Sequence, residues 1–273
     1  MFSSSLVATT EAMRPGLVSG RYPELSDRES GWIDRSLSAL QGRLAQQRIN
    51  RQAGLGKIAA AIGRQGEALT ALDTKQLDNL RIELRRRFLS RGLSNPLCIQ
   101  AFALIRELAE RTIHMRHYDS QLMAGWVMLQ GQLAEMETGE GKTLAATLAA
   151  ATAALAGVPV HVITVNEYLV ERDAKIMSPL YYSLGLTVGF VTQSMALEKR
   201  RAGYACDITY CTNHQVAFDY LRDRLRLGIY RSQLRMQLES AYADNNRLEQ
   251  FLLRGLCFAI VDEADSVLID EAR

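Results

Sequence analysis

Two short runs in this 273-residue chain contain the residue types that phosphate chemistry requires. The first is Met136-Glu137-Thr138-Gly139-Glu140-Gly141-Lys142-Thr143, set between a predicted strand at 133–137 and a predicted Ala/Leu-rich helix starting at Lys142. Two glycines let backbone N–H groups turn inward around a phosphate, and the helix N-terminus adds the positive end of its dipole. Lys142 supplies a cation on a long stem for the outer phosphates, and the Thr143 hydroxyl is a hard oxygen donor for Mg2+. Gly139, Glu140, Gly141, Lys142 and Thr143 are therefore the candidate phosphate-binding residues, with Lys142 also a candidate catalytic residue. The strict spacing G-x-x-x-x-G-K-[ST] is not met, because Met136 occupies the first glycine position. A glycine turn with an incidental lysine is the competing reading.

The second run is Asp262-Glu263-Ala264-Asp265, which ends the apolar stretch 258–261. A carboxylate at a strand end can hold Mg2+, here Asp262, while its neighbour Glu263 can orient an attacking water. Alone, such an acidic run more often caps a helix. With a phosphate loop upstream in the same sheet, each run gives the other a purpose.

The elements that must position these residues fall into two styles. From Trp32 a helical period carries Ile33, Leu37, Leu40 and Leu44, and residues 1–55 read as a partly disordered extension with this one amphipathic helix. Gly54, Gly56, Gly63 and Gly66 punctuate the chain before a second helix, which Asp73 or Thr74 can cap and whose stripe is Leu77, Leu80, Leu84 and Phe88. Asn95-Pro96 opens a third helix as cap and first helical residue. Residues 56–113 are thus a helical lead-in. From 114 to 273 apolar strands near 158–165, 186–192, 206–212 and 257–261 alternate with helices, with a charged helical insertion at about 228–254. That alternation predicts an α/β fold with a mainly parallel, doubly wound sheet, preceded by an α-helical N-terminal region. Ligands in such sheets sit at the carboxyl ends of the strands.

Charge excludes some partners. The chain carries 32 Lys+Arg against 30 Asp+Glu, a net charge of +2, which is no footprint for nucleic acid. Residues 1–110 hold 16 basic and 11 acidic side chains, and the remainder 16 and 19. The outer-face cluster Arg81, Arg85, Arg86, Arg87 and Arg91 reads either as a partner patch or as a solvated helix face. Cys98, Cys206, Cys211 and Cys257 form no CxxC pair; Cys206 and Cys257 are expected to be reduced core thiols. The N-terminus lacks a basic, apolar signal-peptide pattern, and no run of 18 apolar residues spans a membrane.

Six motifs occur in order: Met115-Arg116-His117-Tyr118-Asp119-Ser120-Gln121-Leu122, the phosphate loop, Thr164-Val165-Asn166-Glu167-Tyr168-Leu169, Asp207-Ile208-Thr209-Tyr210-Cys211-Thr212-Asn213, Phe218-Asp219-Tyr220-Leu221-Arg222-Asp223, and Ile260-Val261-Asp262-Glu263-Ala264-Asp265-Ser266-Val267-Leu268-Ile269-Asp270-Glu271-Ala272-Arg273. Over about residues 65–273 this set resembles the first nucleotide-binding domain of the SecA family of bacterial preprotein translocase motors. The resemblance implies a P-loop, RecA-like domain of the DEAD type that binds ATP and Mg2+. It places the adenine at the Met115–Gln121 stretch, with Gln121 reading the base edge and Arg116 in the same motif. It assigns Thr143 and Asp262 to the metal and Glu263 and Lys142 to catalysis. In the complete molecule it implies ATP-driven protein translocation, with a SecYEG-type translocon and preprotein as partners, at the cytoplasmic side of the membrane, whose acidic surface is a further candidate partner.

The chain departs from the family pattern at Ser120, Glu167 and Cys211, where Val, Asp and Gly are usual. Thirty-eight residues separate Asp223 from Asp262, more than is usual. In the family the final run leads into a preprotein-binding domain and a second motor domain, whose arginines complete the ATP site. The expectation is therefore an ATP-binding part that is poorly active by itself. Two other readings are a superfamily-2 helicase-like nucleic-acid remodeller fragment and a non-catalytic nucleotide-binding adaptor.

Overall fold

The structure is a computed structural model that describes residues 52–227 and 251–267. The helix expected from Trp32, most of the 1–55 extension, residues 228–250 of the expected insertion and the run Leu268-Ile269-Asp270-Glu271-Ala272-Arg273 lie outside the described residues.

The glycine-punctuated stretch is itself a helix, α1 (Gln52–Thr70), and not the break its composition suggested. Gly54, Gly56 and Gly63 have open space where a side chain would go, so no close approach demands them. Each costs about 1 kcal/mol against alanine. Burial of Ala59, Ile62 and Leu69 in the main core outweighs that cost. Helix α2 (Thr74–Arg91) opens on a reciprocal cap: Gln76 N–H donates to Asp73 at 2.7 Å, and Asp73 N–H donates to the Gln76 side chain at 2.9 Å. Gly92, at a φ of +67°, ends it. Helix α3 (Asn95–Ile113) starts one residue earlier than expected, because Ser94 occupies the cap position and Asn95 is already helical. Leu97, Cys98, Ala101, Phe102, Leu104, Ile105 and Leu108 bury it on several sides.

After α4 (Asp119–Leu129) and α5 (Lys142–Leu155), the chain alternates β1 (Val160–Thr164), α6 (Glu167–Ser183), β2 (Val188–Phe190), α7 (Leu197–Tyr204), β3 (Ile208–Thr212), α8 (Asn213–Leu227) and β4 (Phe258–Val261). The four strands lie in the order β2-β3-β1-β4, and every pairing is parallel, with Val160 opposite both Ile208 and Phe258. Strand alternation divides the core. Val160, Val162, Ile208 and Tyr210 pack with α3, α5 and α6 on one face. Cys211 and Ile163 join Tyr204, Val216, Leu252 and Leu253 on the other. Helices on both faces make this the doubly wound arrangement that the alternation predicted.

Two expectations need correction. Residues 133–137 form no strand and lie outside the sheet, with Leu133 80% exposed. A strand needs its backbone groups paired with a neighbour; this run makes no such ladder, and among the described residues the outer edge of β4 is left unpaired. Cys206 and Cys257 flank strands and are only partly buried, whereas Cys98 and Cys211 are the buried thiols; none of the four forms a disulfide. No described helix is long and apolar enough to cross a membrane.

Candidate nucleotide-binding site

The phosphate loop turns on two glycines in left-handed conformations, Gly139 at a φ of +90° and Gly141 at +80°. Between them the Glu140 N–H donates to the Glu137 carbonyl at 3.3 Å, and the Glu137 N–H donates to the Glu140 carboxylate at 3.1 Å. Gly141 caps α5, so Lys142 is its first residue and is exposed, while Thr143 is half-buried. The first turn of a helix buried along nearly its whole length thus presents N–H groups, an ammonium and a hydroxyl to the solvent side of the loop.

The first turn of α4 grips that loop. Gln121 is 4% exposed; its amide donates to the Glu140 carbonyl at 2.7 Å, and its oxygen accepts from Tyr118 N–H at 3.0 Å. A side chain on Gly141 would overlap the Gln121 amide, so this glycine answers both to backbone conformation and to close approach. Arg116 turns away from the loop, pairing with Glu110 and, at 3.4 Å, with Glu107 on α3. Arg106 lies 3.6 Å from Asp119. Sequence reasoning left His117 unassigned. It is fully buried, with Nε2 3.1 Å from the Leu144 carbonyl and 3.2 Å from the Thr147 hydroxyl. Burial pushes its pKa down to about 4 and holds it neutral.

At the other side, Asp262 N–H donates to the Ile163 carbonyl at 2.8 Å, which locks the end of β4 beside the end of β1. Glu263 follows with a φ of +55°, a left-handed conformation rare for a residue with a side chain, and its N–H donates to Asp262 at 3.1 Å. Burial, and then the charge of Glu263, raise the Asp262 carboxyl above the ordinary carboxylate range, while Lys142 pulls it down. A carboxylate held up in this way is relieved by a cation. Thr143 and Asp262 are both hard oxygen donors, and Mg2+ characteristically takes one or two protein oxygens and completes its shell with water and phosphate. The residues present fit that ion.

The remaining motifs divide between surface and scaffold. Asn166 caps α6 by accepting from Leu169 N–H at 2.9 Å, and the Glu167 side chain accepts from Gln193 N–H. In the Phe218–Asp223 run the acids are buried. Asp219 holds Arg200 at 3.2 Å and the Tyr204 hydroxyl at 3.1 Å; Asp223 accepts from the N–H groups of Leu252 and Leu253. Phe218 and Leu221 are exposed. Another residue missed from sequence is Asp173 of α6, buried against Arg172 at 2.8 Å and close enough to Asp262 to raise its carboxyl.

Residues 40–273 match the family model described as the SecA DEAD-like domain. Protein translocase subunit SecA 2 of Bordetella avium (strain 197N) is 47% identical over 257 residues, covering 92% of this chain and 38% of that protein. Protein translocase subunit SecA 3 of Magnetococcus marinus is 44% identical over 279 residues, covering 100% of the chain and 40% of that protein. Protein translocase subunit SecA of Anaplasma marginale is 42% identical over 222 residues, 81% of the chain and 23% of that protein. The chain therefore spans two fifths or less of the length of these curated relatives. With its loop, strand-end carboxylates and parallel sheet in the order described, the chain belongs to the SecA family through its DEAD-like domain.

Proposed function

We propose that this chain is the N-terminal ATP-binding part of a SecA-like motor, which couples ATP hydrolysis to protein translocation when the rest of such a motor is joined to it. The observation that carries the reading is the loop that opens α5: Gly139 and Gly141 in left-handed conformations lead into Lys142 and Thr143, and the Gln121 amide donates to Glu140 O within that loop. Gly139, Glu140, Gly141, Lys142 and Thr143 bind the phosphates, and Gln121 and Arg116 belong to the base-binding segment. Thr143 and Asp262 would hold Mg2+, which supplies charge neutralisation on the phosphate oxygens. Glu263 orients the attacking water and accepts its proton as the bond to the leaving ADP oxygen breaks.

In the complete molecule the partners are a translocon of the SecYEG type and a preprotein, at the inner face of the cytoplasmic membrane; the support is that the relatives are protein translocase subunits. Nucleic acid is not expected, since a net charge of +2 offers no phosphate-neutralising surface. The test is a titration of the chain with Mg-ATP. Binding abolished by Lys142→Ala is the expected result, with turnover slow until a second motor domain is supplied. Stimulation by RNA but not by anionic vesicles would favour a helicase-like remodeller instead, and binding without turnover in the extended protein would favour an adaptor.

A further inference from the structure

The imidazole of His117 and the amide of Gln121, four residues apart, reach two carbonyls that are also four residues apart. Gln121 donates to Glu140 O, and His117 lies on Leu144 O. Gly141, Lys142 and Thr143 are the three residues between those carbonyls. The proton on His117 is placed by its partners. The Leu144 carbonyl can only accept, and the Thr147 hydroxyl spends its own proton on the same carbonyl at 2.7 Å, so Nε2 carries the hydrogen. That leaves Nδ1 buried and without a partner. An apolar ring would fill this space without that cost, so only the bond to Leu144 gives a polar ring an advantage here. The opposite side of the segment is fixed to α3 by Arg116 with Glu107 and Glu110 and by Arg106 near Asp119. The segment is thereby anchored by charge on one side and by neutral hydrogen bonds to the loop and α5 on the other.

We infer that His117 is a positioning residue that sets the first turn of α5 in register with the base-binding segment, so that base and phosphates of one nucleotide are gripped together. This rests on the nucleotide reading of the site. It sets His117 apart from a space-filling core histidine: its loss should be felt by a ligand that spans both ends and not by either end alone.

The experiment measures affinity of the full chain for Mg-ADP, adenosine and Mg-pyrophosphate in three forms. His117→Phe keeps a ring and removes the donor; His117→Gln places an amide nitrogen close to the Nε2 position. Mg-ADP should bind about tenfold more weakly to His117→Phe and return to within about threefold of the parent in His117→Gln, with adenosine and pyrophosphate unchanged throughout. Unchanged Mg-ADP affinity in a folded His117→Phe overturns the inference. So does an equal loss for all three ligands, which marks a purely structural role. Should His117→Phe fail to fold, amide spectra of the parent chain decide. Adenosine that shifts Tyr118 must also shift Leu144 and Thr147, and silence at those two overturns the coupling. A parent chain that binds no Mg-ADP at all instead defeats the nucleotide reading of the site.

Discussion

The Gln121 side-chain amide donates to the backbone carbonyl of Glu140 at 2.7 Å, from 19 residues away in sequence. One donor and one acceptor of this amide are thus committed to the protein itself, the acceptor to Tyr118 N–H. A residue read as a base reader is also a strut for the loop that follows it. The two roles are compatible, because a primary amide has a second N–H and a second lone pair.

Gln121→Ala should therefore do two things at once. Removing a buried partner from both Tyr118 N–H and Glu140 O should lower stability by about 1–3 kcal/mol, read from urea denaturation. ATP should also weaken more than GTP in a direct titration. A stability loss with equal weakening of both nucleotides would leave Gln121 only the strut role.

The two loop glycines should differ in their tolerance. Both adopt positive φ, so alanine is strained at either by about 1–2 kcal/mol. At Gly139 the space is open, whereas at Gly141 a new methyl meets the Gln121 amide. Gly141→Ala should be clearly more destabilising and more damaging to nucleotide affinity than Gly139→Ala. Equal thermal shifts for the two would mean that the Gln121 contact is easily displaced.

Stability should fall on mild acidification through two histidines. Burial depresses both His117 and His161 to about 4, against about 6.5 in an unfolded chain. Between those values the unfolded state binds more protons, so stability rises with pH across the window. It is fully present above about 6.5 and is lost as pH falls toward 4. Each imidazole contributes roughly 3 kcal/mol at full extent. Urea midpoints should drop between pH 7.5 and 4.5, and His161→Phe, which keeps a ring beside Tyr204, should roughly halve that drop. An unchanged slope in the variant would mean that His161 charges without unfolding cost.

Sequence patterns were most legible where one local rule set the outcome. Of the two caps that the sequence offers for α2, Asp73 takes the position, and the apolar run near 158–165 is the central strand β1. Legibility stopped where distant partners decide. Glycines in α1 look like a break until Ala59 and Ile62 are seen buried. Residues 133–137 read as a strand by local pattern but make no ladder with the sheet. Asp219 and Asp223 stand in the sequence only as part of a motif; what they do, tying α8 to α7 and to the segment before β4, depends on distant partners. The Lys142 and Asp262 runs pair in the sequence because phosphate and metal chemistry would use both; the structure sets the first at the start of α5 and the second at the end of β4.

The same chemistry predicts opposite effects of substitution at the strand-end carboxylates. Asp262 is assigned to a metal present in the ground state, and Glu263 to a water whose proton moves only as the reaction proceeds. In a protein extended by a second motor domain, Asp262→Asn should weaken Mg-ATP, with less effect on nucleotide measured without metal. Glu263→Gln should lower kcat and leave affinity intact. The backbone adds an independent check, since Glu263 sits at a φ of +55°. A non-glycine residue there stores about 1–2 kcal/mol of strain that glycine releases. Glu263→Gly should therefore be as stable as the parent chain or more so, by about 1 kcal/mol after allowing for the flexibility of glycine when unfolded, and it should abolish turnover. A gain in stability with loss of activity is the expected sign of a residue strained for its chemistry. Glu263→Gly that is both less stable and still active would place the water-orienting carboxylate elsewhere, with Asp173 of α6 the next to test.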